Sequence, residues 1–308
     1  MTKDTVFHYT TVESALKIID SGKIFASHIR FLNDSLEFDF ARDMAVSVIN
    51  NRADEELKYV QGLEPRPFEN GAVLVDAITQ PLEKLSPIYV ACFTKPGDDY
   101  ARLHGVLSLW RGYGSRGVAL VFDQEQLVKA TAADREVARY ADIWHRSVAY
   151  MRPGQRPTGP TKRLFSNLAD LTPWAISVDA KSAGLVYPLD RIKSAPIDHL
   201  DDIVGVFCFI KHASFKEEAE FRIAAAAIVD THPRSLLPVK EVRARYANGA
   251  VVPYIELPFC TPETSALKGI LVGPSAHQER IASSLREYFR IKKMAIQVSC
   301  SEIPFVTV

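Results

Sequence analysis

Cysteine is scarce: four residues, Cys92, Cys208, Cys260 and Cys300, stand far apart in a chain of 308. No Cys-x-x-Cys and no Cys/His pair is present, which excludes structural zinc and a secreted disulfide framework as organising devices. This usage fits a reducing cytoplasm, the location the sequence leads us to expect. The opening Met1-Thr2-Lys3-Asp4 lacks the apolar core of a signal peptide. No run approaches the roughly 20 apolar residues of a membrane span, so no membrane partner is expected. An excess of either charge is also missing. Lys+Arg and Asp+Glu both number 37, which argues against dominant non-specific binding to nucleic acid and leaves a local basic patch open.

Several chemistries lack their signatures. Without Gly-x-Gly-x-x-Gly or a Walker loop, a Rossmann dehydrogenase or P-loop enzyme is not expected. There is no Gly-x-Ser-x-Gly elbow and no His-Glu-x-x-His, and the eight histidines are scattered. No metal is therefore expected. Internal repeats and low-complexity tails are absent too.

What is present is ordinary globular composition, with 47% hydrophobic and 24% charged residues. A chain of this length can bury a large core. The pattern predicts strands over Thr5–Tyr9, Ile24–Ile29, Ile88–Thr94, Gly117–Phe122, Phe221–Val229, Val251–Leu257, Gly269–Val272 and Ala295–Ser299. A helix follows the first strand, capped by Thr10 or Thr11 and ended by Ser21-Gly22. Further helices are predicted from Leu36 to about Leu63, over Ala72–Leu85, through Leu107 to Tyr113, over Asp198–Ile210 and over His277–Arg290. Pro96-Gly97-Asp98-Asp99 reads as a turn. The sum is an α+β fold: one domain over 1–308, a curved mixed sheet, and helical insertions at about 36–86 and 124–210.

Polar residues that can do chemistry gather in two places. Early are His8, Tyr9, Asn33, Asp34 and Glu37; late is Phe215-Lys216-Glu217-Glu218-Ala219-Glu220-Phe221-Arg222. His8 is either a structural histidine or a ligand. Tyr9 alternates with it on a strand, so the two side chains face opposite ways. Glu218 and Glu220 would share a strand face, as a site or as a solvated edge beside Lys216 and Arg222. Asn33-Asp34 reads as a turn with side-chain caps. Trp110 and Tyr113 have helical spacing and read as core. Arg111, between those aromatics, can pair with a pyrophosphate. Asp34, Glu37 and Asp39 with Glu218 and Glu220 could hold Mg²⁺ in a nuclease. A non-catalytic sensor or interaction domain is the third reading.

The chain resembles the bacterial domain-of-unknown-function 2971 family. The matching pieces are His8-Tyr9-Thr10, Leu32-Asn33-Asp34 with Glu37, Cys92-Phe93-Thr94, Leu109-Trp110-Arg111-x-Tyr113, Phe215 to Arg222, and Ile270-Leu271-Val272-Gly273-Pro274. More distantly, the layout resembles the ADP-ribosyltransferase fold, including DNA-modifying toxins of toxin–antitoxin systems. That resemblance implies NAD as substrate and a cytoplasmic effector in toxin action or phage defence. It places His8 at the first-strand ribose position, Glu220 at the late-strand catalytic position and Glu218 beside the target nucleophile. Tyr9, Thr94, Arg111 and Tyr113 complete the implied cofactor contacts. Cys92-Phe93-Thr94 departs from the usual Ser-Thr-Ser strand, leaving Thr94 as its hydroxyl. The implied partner is a macromolecular target, nucleic acid ahead of protein, together with an antitoxin or other protein. The basic stretch Arg152 to Arg163 offers phosphate contacts.

Overall fold

The computed structural model describes residues 4–32, 36–57, 86–112, 117–155, 200–228, 236–247 and 249–304 (263 aside), with isolated positions in 71–84 and 157–165. In chain order the elements are β1 (Thr5–Thr11), α1 (Val12–Ser21), β2 (Lys23–His28), α2 (Leu36–Leu57), β3 (Ile88–Thr94), α3 (Asp99–His104), α4 (Leu107–Gly112), β4 (Gly117–Asp123), α5 (Gln124–Ala133), β5 (Tyr140–Ser147), β6 (Ala149–Met151), α6 (Leu200–Phe209), β7 (Ile210–His212), β8 (Glu220–Ala227), β9 (Arg243–Ala247), β10 (Ala250–Pro258), β11 (Leu267–Val272), α7 (Gln278–Lys292) and β12 (Gln297–Cys300). The fold is mixed α and β, with a large, mostly antiparallel sheet and several helices. The chain divides into two compact units, one of residues 1–28, 88–147 and 215–308, the other of 29–87 and 148–214. No helix among the described residues is long and apolar enough to cross a membrane.

The first unit is built on the sheet. Its strand order is β12-β11-β4-β1-β3-β2-β10-β9, with β8 on the second edge of β3 and β5 beyond β8. Among the described strands of this sheet only β11 and β12 pair in parallel, and α7 provides the crossover that such a pair needs. Strand β3 is forked. One edge pairs with β8 along the full length, Ile88↔Ala226 to Thr94↔Glu220. The other is divided: Phe7 of β1 meets Thr94, while Ser27 and His28 of β2 meet Val90 and Tyr89.

Local signals explain the β1-α1-β2 arm. The Thr11 hydroxyl accepts the Ser14 N–H at 3.2 Å, and Gly22, at φ 67°, turns the chain out of the helix. Ala15, Ile18 and Ile19 lie on the buried side. They join Val6, Leu120, Phe93 and Phe221 on one sheet face, where α5 and α7 add Leu127, Leu285 and Phe289. The opposite face carries a smaller cluster: Phe7, Tyr9, Val121 and Leu271 under Leu109 and Trp110 of α4.

Trp110 is tightly held. Its indole N–H donates to the His104 carbonyl at 2.9 Å, and Tyr9 meets it edge-on at 4.7 Å between centroids. Gly105, at φ 80°, and Gly273 approach its ring so closely that a Cβ would sit 2.6 Å and 2.7 Å from ring atoms.

The second unit contains α2, α6 and the parallel β6–β7 pair. Phe38 stacks on Phe207 at 5.0 Å, and Arg42 grips Asp76 through two hydrogen bonds of 2.9 and 2.8 Å.

Three differences from the sequence expectation stand out. Residues 140–147, inside the second expected insertion, form β5 of the main sheet. Their polar residues Asp142, Arg146 and His145 broke the apolar alternation by which a strand is read. The turn at Pro96–Asp99 leads directly into α3, because the Asp98 carboxylate accepts the Ala101 N–H at 2.8 Å. Arg243–Ala247 is an exposed edge strand with no apolar pattern to betray it.

The Trp110 contacts generate a test. Gly273→Ala is expected to cost roughly 1–3 kcal/mol, because the new Cβ meets both the indole and a carbonyl. Gly97→Ala, with open space at its Cβ position, should change stability by no more than about 0.5 kcal/mol. Urea melts of the two variants check the contrast.

Candidate functional site

The late polar cluster begins on a 3-10 helix, Ala213–Glu218, and passes through Ala219 into β8. Ala219 sits at φ 43°, a left-handed conformation for a residue with a Cβ. Such a residue costs about 1–2 kcal/mol. It is pinned there: the Lys95 N–H donates to the Ala219 carbonyl at 2.8 Å, and the Ala219 N–H donates to the Lys216 carbonyl at 3.2 Å. Glu218 and Glu220 therefore do not lie on one strand. Glu218 closes the 3-10 helix and Glu220 opens β8.

Even so, both line one small hollow, about 20 Å³, with Thr94, Tyr9, Phe7 and Cys92. Register explains the meeting. Thr94 stands across from Glu220 on β8 and across from Phe7 on β1, so the three side chains share a sheet face. Tyr9, two residues after Phe7, shares it too. Its hydroxyl accepts the Val106 N–H at 2.9 Å. Burial, against that hydrogen bond, pushes the phenol well above its usual range and keeps it neutral.

Glu220 is held from its own strand. Arg222 donates from Nε at 2.9 Å and from Nη2 at 2.5 Å, both to Glu220 Oε2. Arg222 is 1% exposed and Glu220 8%, so this is a buried ion pair and not a solvated edge. Arg146 of β5 faces Arg222 in register and adds a second guanidinium to the same sheet face. Sequence reasoning missed both arginines. The signal lay in Glu220–Ala227 (EFRIAAAA), where a single arginine sits within small apolar residues and all eight are buried. A cation in such a strand requires a partner.

His8 lies on the opposite sheet face from Tyr9, Thr94 and Glu220. Its ring packs 5.6 Å from Phe93, and Nδ1 donates to the Cys92 carbonyl at 2.9 Å. That carbonyl falls in the stretch of β3 between its pairings with β1 and β2. Burial lowers the His8 pKa, the Cys92 carbonyl opposes the shift, and the positive charge of Arg245 adds to it. The ring is accordingly neutral with its proton on Nδ1.

The remaining candidates are separate from the hollow. Arg111 is exposed in the last turn of α4. Tyr113, Asn33 and Asp34 lie outside the described residues. Glu37, in the first turn of α2 within the second unit, is buried with its carboxylate 3.6 Å from Lys211 Nζ. Among the described residues no group of three or more His, Cys, Asp or Glu side chains is placed to hold a metal ion.

A second cavity, about 560 Å³, lies on the other side of the Glu217–Glu220 segment. Glu217 and Ala219 line it, whereas Glu218 and Glu220 line the hollow.

Comparison with known proteins agrees with part of the sequence resemblance. Residues 109–223 match the family described as Protein of unknown function (DUF2971). The matched stretch runs from α4 into β8 and takes in Trp110, Arg111, Glu218, Glu220 and Arg222. It supports the family resemblance and carries no activity with it. No curated protein and no solved structure matches the chain.

The His8 geometry yields an expected outcome. His8→Ala removes the donor to a carbonyl at the fork and should cost roughly 1–3 kcal/mol. The sign with pH follows from the lowered pKa. The unfolded chain takes up the His8 proton first, so the stability from the neutral ring is present above about pH 6.5. It is lost as the pH falls through the lower folded-state value. Melting curves of both proteins from pH 8 downward should converge on the acid side; parallel curves would refute this account.

Proposed function

We propose that the first unit carries an ADP-ribosyltransferase-like site that cleaves NAD and passes ADP-ribose to a macromolecule, nucleic acid ahead of protein. The observation that carries this reading is the convergence of Tyr9, Thr94, Glu218 and Glu220 on one hollow from distant parts of the chain. In this reading the bond between nicotinamide and ribose C1′ breaks with its electron pair leaving on the nicotinamide nitrogen. Glu220, oriented by Arg222, stabilises the positive charge that develops on the sugar. The target nucleophile then bonds to C1′ and gives its proton to Glu218. Thr94 offers a hydroxyl at the base of the hollow. Tyr9 acts indirectly, by anchoring the Gly105–Val106 loop through its hydroxyl. His8 is a positioning residue of the sheet in this account, and Arg111 stands as an outlying phosphate contact. The effector role, in toxin action or phage defence with an antitoxin-like partner, belongs to the same proposal.

One observation favours a second reading. A hollow of about 20 Å³ has room for a single water and not for a nicotinamide ring. A binding domain that kept the sheet without the reaction would have such a hollow.

Incubation of the intact chain with labelled NAD and a cell lysate separates these readings. Transfer of label that survives EDTA is the expected result. Glu218→Gln and Glu220→Gln should each lower it by about 10²-fold or more per folded molecule. Glu220→Gln also strips Arg222 of its counter-charge, so the folded fraction of each variant must be measured by melting. Saturable NAD binding without cleavage would support the binding domain. Nucleic-acid cleavage that needs Mg²⁺ and ignores NAD would replace both with a nuclease.

A further inference from the structure

The larger cavity is unused by the reading above and has a definite chemistry. Val106, Leu107 and Ile303 contribute an apolar wall, and the half-exposed Tyr100 ring stands beside it. Asp98 and Glu217 provide its charge, and among the described residues no lysine, arginine or histidine lines it. Three basic residues nearby, Arg102, Lys95 and His104, already have partners. Arg102 pairs with Asp99 and donates to the Pro96 and Gly97 carbonyls at 3.4 and 3.0 Å. Lys95 donates to Gln124 at 2.7 Å and lies 3.6 Å from Asp4. His104 packs against Tyr100, with centroids 4.6 Å apart, and faces Glu302 at 3.8 Å. The Glu217 carboxylate is exposed, with no ion-pair partner among the described residues.

We propose that this cavity is a binding site for a small organic cation, an apolar or aromatic body bearing one positive charge. The wall removes the body from water, at about 25 cal/mol for each Å² of apolar surface covered. The Tyr100 ring offers its negative face to a cation. The two carboxylates attract the charge, and the cavity itself supplies no counter-charge to an anion or a phosphate. The site goes beyond the transferase reading and does not rest on it, since its test is binding and not turnover.

Titration of the intact chain with three probes of one shape, benzamidinium, benzyl alcohol and benzoate, decides the matter. Benzamidinium should bind saturably, benzyl alcohol more weakly, and benzoate not at all at the same concentrations. Glu217→Gln should weaken benzamidinium roughly 2- to 5-fold, the size expected of one exposed charge. Glu217→Lys should reverse the order, admitting benzoate and rejecting benzamidinium. Glu217 is a surface residue, so both variants should melt with the parent chain, which a thermal scan verifies. Equal affinity for all three probes, no saturation by benzamidinium, or benzamidinium affinity untouched by both substitutions would overturn the proposal.

Discussion

Strand β3 has two edges and three partners. β8 occupies one edge completely. β1 and β2 are both antiparallel to β3, so they run parallel to each other, and α1 is the crossover between them. Two parallel strands cannot both pair along the whole of one edge, and the result is a fork with a short unladdered stretch around Cys92. Buried backbone carbonyls need partners. His8, the first β1 residue beyond the Phe7↔Thr94 pairing, supplies the donor. A histidine suits this place because its neutral ring still carries an N–H, and burial holds it in that neutral form. The position most suggestive of a ribose ligand thus has a sufficient structural explanation, on the sheet face away from the acidic residues.

The Trp110 contacts assign a similar role to other residues on which the sequence resemblance rests. Tyr9, Trp110 and Gly273 come from three of its pieces, of which Trp110 falls within the matched residues 109–223, and they meet around one indole. Packing of this closeness demands particular residues: glycine where a Cβ would collide, and an aromatic edge against the ring face. Order along the chain therefore reflected two different things. Some pieces answer to the core, and others answer to the hollow by Glu220.

Strands and helices with clean periodicity were legible in the sequence. Thr11 and Gly22 announced α1, and the apolar runs announced β3, β4 and β11. The forked connectivity was not legible, because it depends on which edges meet and not on any one segment. β5 was hidden because its charged residues are accommodated inside the sheet. For the site, period-two alternation correctly set His8 against Tyr9, and the same rule failed for Glu218 and Glu220. The failure has a local cause: Ala219 leaves the extended region, so strand geometry begins only at Glu220. The solvated-edge alternative grouped Arg222 with Lys216, but Lys216 and Glu217 are exposed whereas the chain turns inward after them and buries Arg222.

Three local rules are broken within residues 219–222. Ala219 adopts a conformation suited to glycine. Glu220 and Arg222 place opposite charges in a strand that is otherwise apolar and wholly buried. A buried ion pair is a weak source of stability, and apolar residues of similar volume often serve as well or better. Stability alone does not account for these choices. Lys293 makes the comparison: it too has positive φ, 54°, and it ends α7 as a C-cap, where that conformation closes the last turn. Ala219 likewise follows a helix, the 3-10 turn Ala213–Glu218, with its N–H on the Lys216 carbonyl. There the same conformation also sends the chain into β8, with Glu218 before the turn and Glu220 after it lining the same hollow. Departures from local preference that persist together at one place, each fixed by several hydrogen bonds, are the mark of a site that the surrounding sheet is built to hold. That argument supports the proposal made above for the Glu218–Arg222 segment, and it does so from backbone and charge without appeal to the family pattern.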